Sequence, residues 1–263
     1  MKPTLTLRVF AALGYLVLLS PAALVLVLSF SAGDYLTFPP PGFSTRWYAA
    51  LLSNGVMMSA LGTSAILAAV VSVVALLAGG PAAYAIARLD FPGRGFLAAL
   101  LAAPLLLPTL VLGLALLLVL QPLGLTASWP GLVLGHCLVA IPFAVRIMTT
   151  AFEGVPKELE AAAWTLGATP LQAALRITLP NAAPGAIAAG VLTFLVSFDE
   201  TVISLFLVGP RLTTLPVEMF RYAEHRTDPL VAALAMSLIL FAAVMVLVVE
   251  RLMGFSNAMG RKS

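Results

Sequence analysis

The sequence predicts an all-α integral membrane protein of six transmembrane helices with both termini in the cytoplasm. Composition is the first reason: of 263 residues, 61% are hydrophobic and 10% charged, with a mean hydropathy of +1.07. A soluble domain carries about a quarter charged residues, so the polar side chains here are too few to cover a water-soluble globule. A disordered chain is excluded by the abundance of Leu, Val and Ala. The second reason is patterning, since the apolar residues fall into six runs long enough to cross a bilayer core of about 20 residues. The third is that most charges lie between those runs, unevenly on the two sides.

The runs cover residues 9–30, 58–87, 96–120, 131–152, 183–208 and 230–253. Lys2 and Arg8 precede the first as in a signal peptide, but the run exceeds the roughly 7–15 residues of a signal's apolar region and reads as a retained anchor. Pro81, Pro104, Pro108 and Pro142 fall within the second, third and fourth runs, where each removes a ladder hydrogen bond and permits a kink. The fourth run also holds His136 and the single cysteine, Cys137. One cysteine makes no internal disulfide and no Cys-rich metal site, and a lone His on an apolar helix reads first as hydrogen-bonded across the bundle.

Cytoplasmic termini place Lys2, Arg8, Arg88, Arg94, Arg146, Lys157, Arg176, Arg251, Arg261 and Lys262 inside, and Arg46, Arg211, Arg221 and Arg226 outside. Ten basic residues against four satisfy the positive-inside rule. The net charge of +3 does not point to nucleic acid, because phosphate tracking needs a clustered basic face.

This topology makes 153–182 the longest cytoplasmic loop of a single transmembrane domain spanning 1–263. Pro156 suits a helix start, Lys157 to Leu166 are good helix formers, and Gly167 suits a C-terminal stop. Thr169-Pro170-Leu171-Gln172 reads as a capping box opening a second short helix to about Thr178, closed by Leu179-Pro180. The Ala-rich apolar faces of these helices suit either a lipid interface or a groove on a protein partner.

Here the text EAAAWTLGATPLQAALRITLP resembles the loop signature of the permease subunits of ATP-binding-cassette importers, with Gly167, Ile177, Leu179 and Pro180 at the family spacing. The family's glutamate position falls on Ala161, followed by Ala162 and Ala163, and Glu160 stands one residue early. Adjacent helical positions point about 100° apart. The likeness extends over RWYAALLSN, APLLLPTLVLG, LVSFDETVISLFLVGP and TTLPVEMFRYAEHRTDP, and is greatest to the C-type permeases of spermidine/putrescine uptake systems. It implies a type I importer permease in a bacterial inner membrane. It implies coupling through Glu160, Ala161, Ala162, Ala163, Gly167, Ile177, Leu179 and Pro180 to a cytoplasmic ATPase dimer. A second permease in a heterodimer, a periplasmic substrate-binding protein and surrounding lipid complete the expected partners.

The chain itself is expected to be neither an enzyme nor the holder of a cofactor; ATP and Mg belong to the partner ATPase. None of Lys2, Lys157 and Lys262 follows the glycine that a phosphate loop requires, and no nucleophile–base or metal-ligand spacing joins His136 or His225. Asp199 and Glu200 fall inside the fifth run, where a charge costs at least about 2.5–3.5 kcal/mol. Two placements meet that cost, local capping near the outer boundary or the lining of a path for a cation. The resemblance adds Ser197 to these acids and matches Trp47 to a family aromatic; Trp47 or Tyr48 offers a ring face to an ammonium or an interfacial anchor. The reading is uptake of a small organic cation, most simply a polyamine, with aminoethylphosphonate, an opine-like compound or ferric iron as other cargoes. An ATP-independent secondary transporter is the competing class, and six spans without a recognisable inverted repeat suit it less well.

Overall fold

In the computed structural model, residues 5–260 are described, with side chains over 7–251; Lys2, Arg261 and Lys262 of the charge count lie outside them. The described elements are helices joined by loops and two isolated bridges. They are α1 (Leu5–Ser29), α2 (Arg46–Ser53), α3 (Gly55–Arg88), α4 (Arg94–Ala102), α5 (Thr109–Leu120), α6 (Trp129–Glu153), α7 (Lys157–Thr165), α8 (Pro170–Ala173), α9 (Leu179–Asn181), α10 (Ala183–Asp199), α11 (Val202–Leu207), α12 (Leu215–His225) and α13 (Leu230–Gly260). Four helices are long and apolar enough to cross a membrane alone, Leu7–Ser29, Gly55–Arg88, Trp129–Glu153 and Leu230–Arg251. Two bent pairs bring the count to six.

The expected third and fifth spans are not continuous helices. In the third, Arg94–Leu106 and Thr109–Leu120 meet at 101°. Pro104 and Pro108 each lack an N–H, and a residue before proline is pushed out of the helical region; Leu107 accordingly adopts φ −95, ψ 141. In the fifth, α10 stops at Asp199, Glu200 turns extended at φ −69, ψ 107, and α11 begins afresh. By contrast, Pro81 and Pro142 lie inside helices that continue through them.

The chain divides into two compact units, residues 1–59 with 218–243, and 60–217 with 244–263. In the first, α1 leaves apolar side chains such as Leu16, Val17 and Leu18 exposed, as a lipid-facing helix does. The loop after it is tied by Ala32 N to Gly42 O at 2.9 Å and Ser44 N to Phe30 O at 2.7 Å. Asp228 Oδ1 accepts from Leu230 N at 3.1 Å and so caps α13, while its Oδ2 accepts from the Tyr222 hydroxyl at 2.7 Å.

In the second unit α6 faces α10 along two stripes of four-residue spacing. Leu132, His136, Ala140, Ala144, Met148 and Phe152 are buried on α6; Ala189, Thr193 and Ser197 are buried on α10 in register with Gly185. A Cβ at Gly185 would overlap Ala151 Cβ, so the backbones approach as small-residue stripes allow in membranes, where packing and hydrogen bonds replace the hydrophobic drive. Ser72 Oγ on α3 donates to Gly190 O at 2.7 Å, crossing to the same helix. Val71 and Ala75 of α3 and Ile203 and Leu207 of α11 close the core around Ala140 and Ala144.

Candidate functional site

The cytoplasmic loop folds from local instructions. Pro156 takes the N-cap of α7. At the other end Gly167 has φ +87, and Gly167 N to Trp164 O and Ala168 N to Ala163 O, both 3.0 Å, form a Schellman cap that favours glycine. The capping box is complete, with Gln172 N donating to Thr169 Oγ1 at 3.3 Å and Thr169 N to Gln172 Oε1 at 3.0 Å.

The second helix does not close at Leu179-Pro180. It widens into a π turn over Ala174–Thr178 and continues as α9, with Pro180 in its first turn. Pro180 supplies no N–H to the preceding turn, a defect that a wider turn accommodates, and Asn181 Nδ2 donates to Ile177 O at 2.7 Å. The bend to α10, 72°, follows.

Of the signature residues, Ala161, Ala162, Gly167, Leu179 and Pro180 are exposed, Ile177 is half-buried and Ala163 is buried. Apolar side chains project beside them, Leu166 at 88% and Leu171 at 67% exposure. Glu160 turns the other way. Its side chain and that of Arg88, at the end of α3, are 6% and 2% exposed, with Arg88 Nε 3.7 Å from Glu160 Oε1. Thr178 Oγ1 donates to the same carboxylate oxygen, and Arg88 Nη2 donates to Val155 O at 2.6 Å. Arg88 Nε itself has no hydrogen-bond partner. Three stretches of chain thus converge on one buried ion pair, which borders a cleft of ≈ 590 Å³ also lined by Tyr84, Met148, Trp164 and Leu175. Arg88 is absent from the sequence reading except as an inside charge; its signal was that it is the one charged residue of α3.

At the break in the fifth span the acids part company. Glu200 Oε1 accepts from Ile203 N at 3.0 Å and caps α11, the local capping weighed from sequence. Asp199 is exposed at the last turn of α10; among the described residues no basic side chain pairs with it and no donor reaches its carboxylate. Ser197 is 3% exposed, and its hydroxyl is 2.9 Å from His136 Nδ1. His136 is therefore hydrogen-bonded across the bundle, as expected for a lone intramembrane His.

Trp47 and Tyr48 belong to the first unit. Arg46 lies 4.7 Å over the Trp47 ring while its Nη2 pairs with Asp34 at 2.5 Å, so a cation of the protein already covers that face. Trp47 Nε1 donates to Gly33 O at 3.3 Å. Tyr48 donates to Ser29 Oγ at 2.8 Å, and its ring meets Phe30 at 5.2 Å.

A family model described as binding-protein-dependent transport system inner membrane component matches residues 75–257. The chain is 34% identical over 234 residues to the putrescine transport system permease protein PotI of Escherichia coli K12, covering 86% of this chain and 83% of that one. It is 30% identical over 233 residues to the spermidine/putrescine transport system permease protein PotC of the same strain, covering 89% and 88%. Its fold matches a bacterial ABC transporter involved in import of the acidic polysaccharide alginate, with a TM-score of 0.70 and 17% identity over 95% of this chain and 99% of that one. These matches set aside the ATP-independent secondary transporter. The chain belongs to the inner-membrane permease subunits of bacterial ABC importers, multi-pass proteins that work with a separate ATPase and a substrate-binding protein and are not themselves enzymes.

Proposed function

We propose that this permease carries a small organic cation, of the polyamine class, along a path bordered by Asp199. The observation that carries the reading is the Asp199 carboxylate, exposed in the broken fifth span with no cation among the described residues paired to it. The negative end of the α10 dipole adds to its potential, and attraction is strong where water is scarce. Glu200, spent on a helix cap, contributes field rather than a free ligand. The likeness to PotI and PotC, permeases of putrescine and spermidine/putrescine transport systems, supports the same cargo class.

The driving motion starts in the cytoplasm. A partner ATPase dimer closes on the exposed apolar face of α7 and α8, and the loop moves. The Arg88–Glu160 pair hands that displacement to α3, a rigid-body rocking of packed helices. A second, different permease completes the path, and a periplasmic binding protein delivers the cargo.

The test is ATPase activity of the assembled importer in lipid, with binding protein and a panel of putrescine, spermidine, aminoethylphosphonate, an opine and ferric iron. Polyamine stimulation that Asp199→Asn/Glu200→Gln abolishes is the expected result. Stimulation by another cargo, indifferent to the double substitution, overturns the polyamine assignment and leaves the permease intact.

A further inference from the structure

The break in the fifth span contains neither Pro nor Gly; the sequence from Ser197 to Ser204 is SFDETVIS. Its local bonds are Thr201 Oγ1 to Asp199 O at 3.2 Å and the Glu200 cap on Ile203 N at 3.0 Å. What ties α10 to α11 from another helix is a single imidazole. His136 is 1% exposed, with Nδ1 2.9 Å from Ser197 Oγ in the last turn of α10 and Nε2 2.9 Å from Ser204 Oγ in the first turn of α11. Both serines are buried, 3% and 0% exposed. A neutral imidazole has one donor and one acceptor, and a hydroxyl serves as either, so both tautomers satisfy all three groups.

The neighbouring residue adds a second constraint. A Cβ on Gly135 would stand 2.6 Å from Leu207 Cδ1 and 2.9 Å from Ile203 Cγ2, so α11 seats directly on α6 where His136 projects. An apolar residue would fill the same volume without the desolvation cost of a ring with two polar atoms. What the imidazole adds is direction, one bond to each side of the break.

We propose that His136 is a positioning residue for transport: by tying Ser197 to Ser204 across the break, it fixes the angle between α10 and α11 and with it the place of the Asp199 carboxylate. This rests on Asp199 as a cargo-facing group, and the two ideas fail separately.

The experiment uses the complete importer in nanodiscs. Spin labels on Ile187→Cys and Leu205→Cys, both exposed, in a Cys137→Ser background report the distance across the break. His136→Ala broadens that distribution, and Ser204→Ala, which keeps one bond, broadens it less. An unchanged width overturns the strap. Uptake of labelled putrescine is then measured in a cycle. His136→Ala lowers it roughly tenfold, the scale of two interhelical hydrogen bonds, and costs nothing further in an Asp199→Asn background. Equal losses in both backgrounds mean that His136 stabilises the bundle without positioning Asp199, and overturn the proposal. If Asp199→Asn alone transports normally, the cargo reading falls while the distance measurement still decides the strap. Should His136→Ala not assemble, Ser204→Ala carries both measurements.

Discussion

Replacing Glu160 by Ala tests the loop's attachment to α3. The substitution leaves the Arg88 guanidinium buried, its side chain 2% exposed, holding one hydrogen bond, to Val155 O. It also strips the Thr178 hydroxyl of its acceptor. Removing one partner of a buried ion pair costs about 3–5 kcal/mol, and an unsatisfied buried hydroxyl adds about 1 kcal/mol. Even about 3 kcal/mol multiplies the detached population of the loop roughly a hundredfold. Hydrogen exchange of the backbone over 157–178, with limited trypsin cleavage at Lys157 and Arg176, reads that population directly. Arg88→Met/Glu160→Leu, which replaces the pair by apolar side chains, restores protection to within about 1–2 kcal/mol, since a buried pair adds little over a packed apolar one. The reasoning is refuted if Glu160→Ala exchanges like the parent chain, or if the apolar pair is as exposed as the single substitution.

Two further outcomes follow from the loop and from the outer face. Gly167→Leu forces a side chain into the left-handed region at φ +87, at a cost of about 1–2 kcal/mol; the Schellman cap frays, and ATP hydrolysis proceeds with less uptake per turnover, so full coupling in that variant would refute the loop's role. Burial, and then the hydrogen bond donated to Asp228, raise the Tyr222 hydroxyl above its ordinary value of 10.0. A raised value means that the fold holds this proton more tightly than the unfolded chain does. The stability it contributes is complete below about pH 10 and is lost as pH rises through the raised value; tyrosinate absorbance titration of parent and Tyr222→Phe chains checks the shift, and a normal titration refutes it.

Signals confined to a few residues were legible in the sequence. The capping box at Thr169–Gln172 and the stop at Gly167 depend on bonds between near neighbours and stand in the structure as read. The spans were legible because length and apolarity suffice to define them. The bend at Leu107 was half legible: Pro104 and Pro108 announced a kink, and pre-proline sterics at Leu107 turned it into a break. The break after Asp199 was half legible: the Glu200 cap on Ile203 N is local and was weighed from sequence, whereas His136, which bonds to both sides of the break, lies on another helix. Glu160 failed to read for the same reason. Its partner Arg88 is far off in sequence, and only the fold brings the two together.

The four-residue stripes of α6 and α10 govern which sequences this bundle tolerates. Along an exposed face of α1 that meets lipid, any apolar side chain serves, because hydropathy alone sets the requirement there. At Gly185, Ala189, Ala140 and Ala144 hydropathy is irrelevant and volume decides, because a Leu is as welcome to the lipid as an Ala but has no room between the backbones. The two surfaces of the same membrane protein therefore evolve under different currencies, oiliness outside and size within.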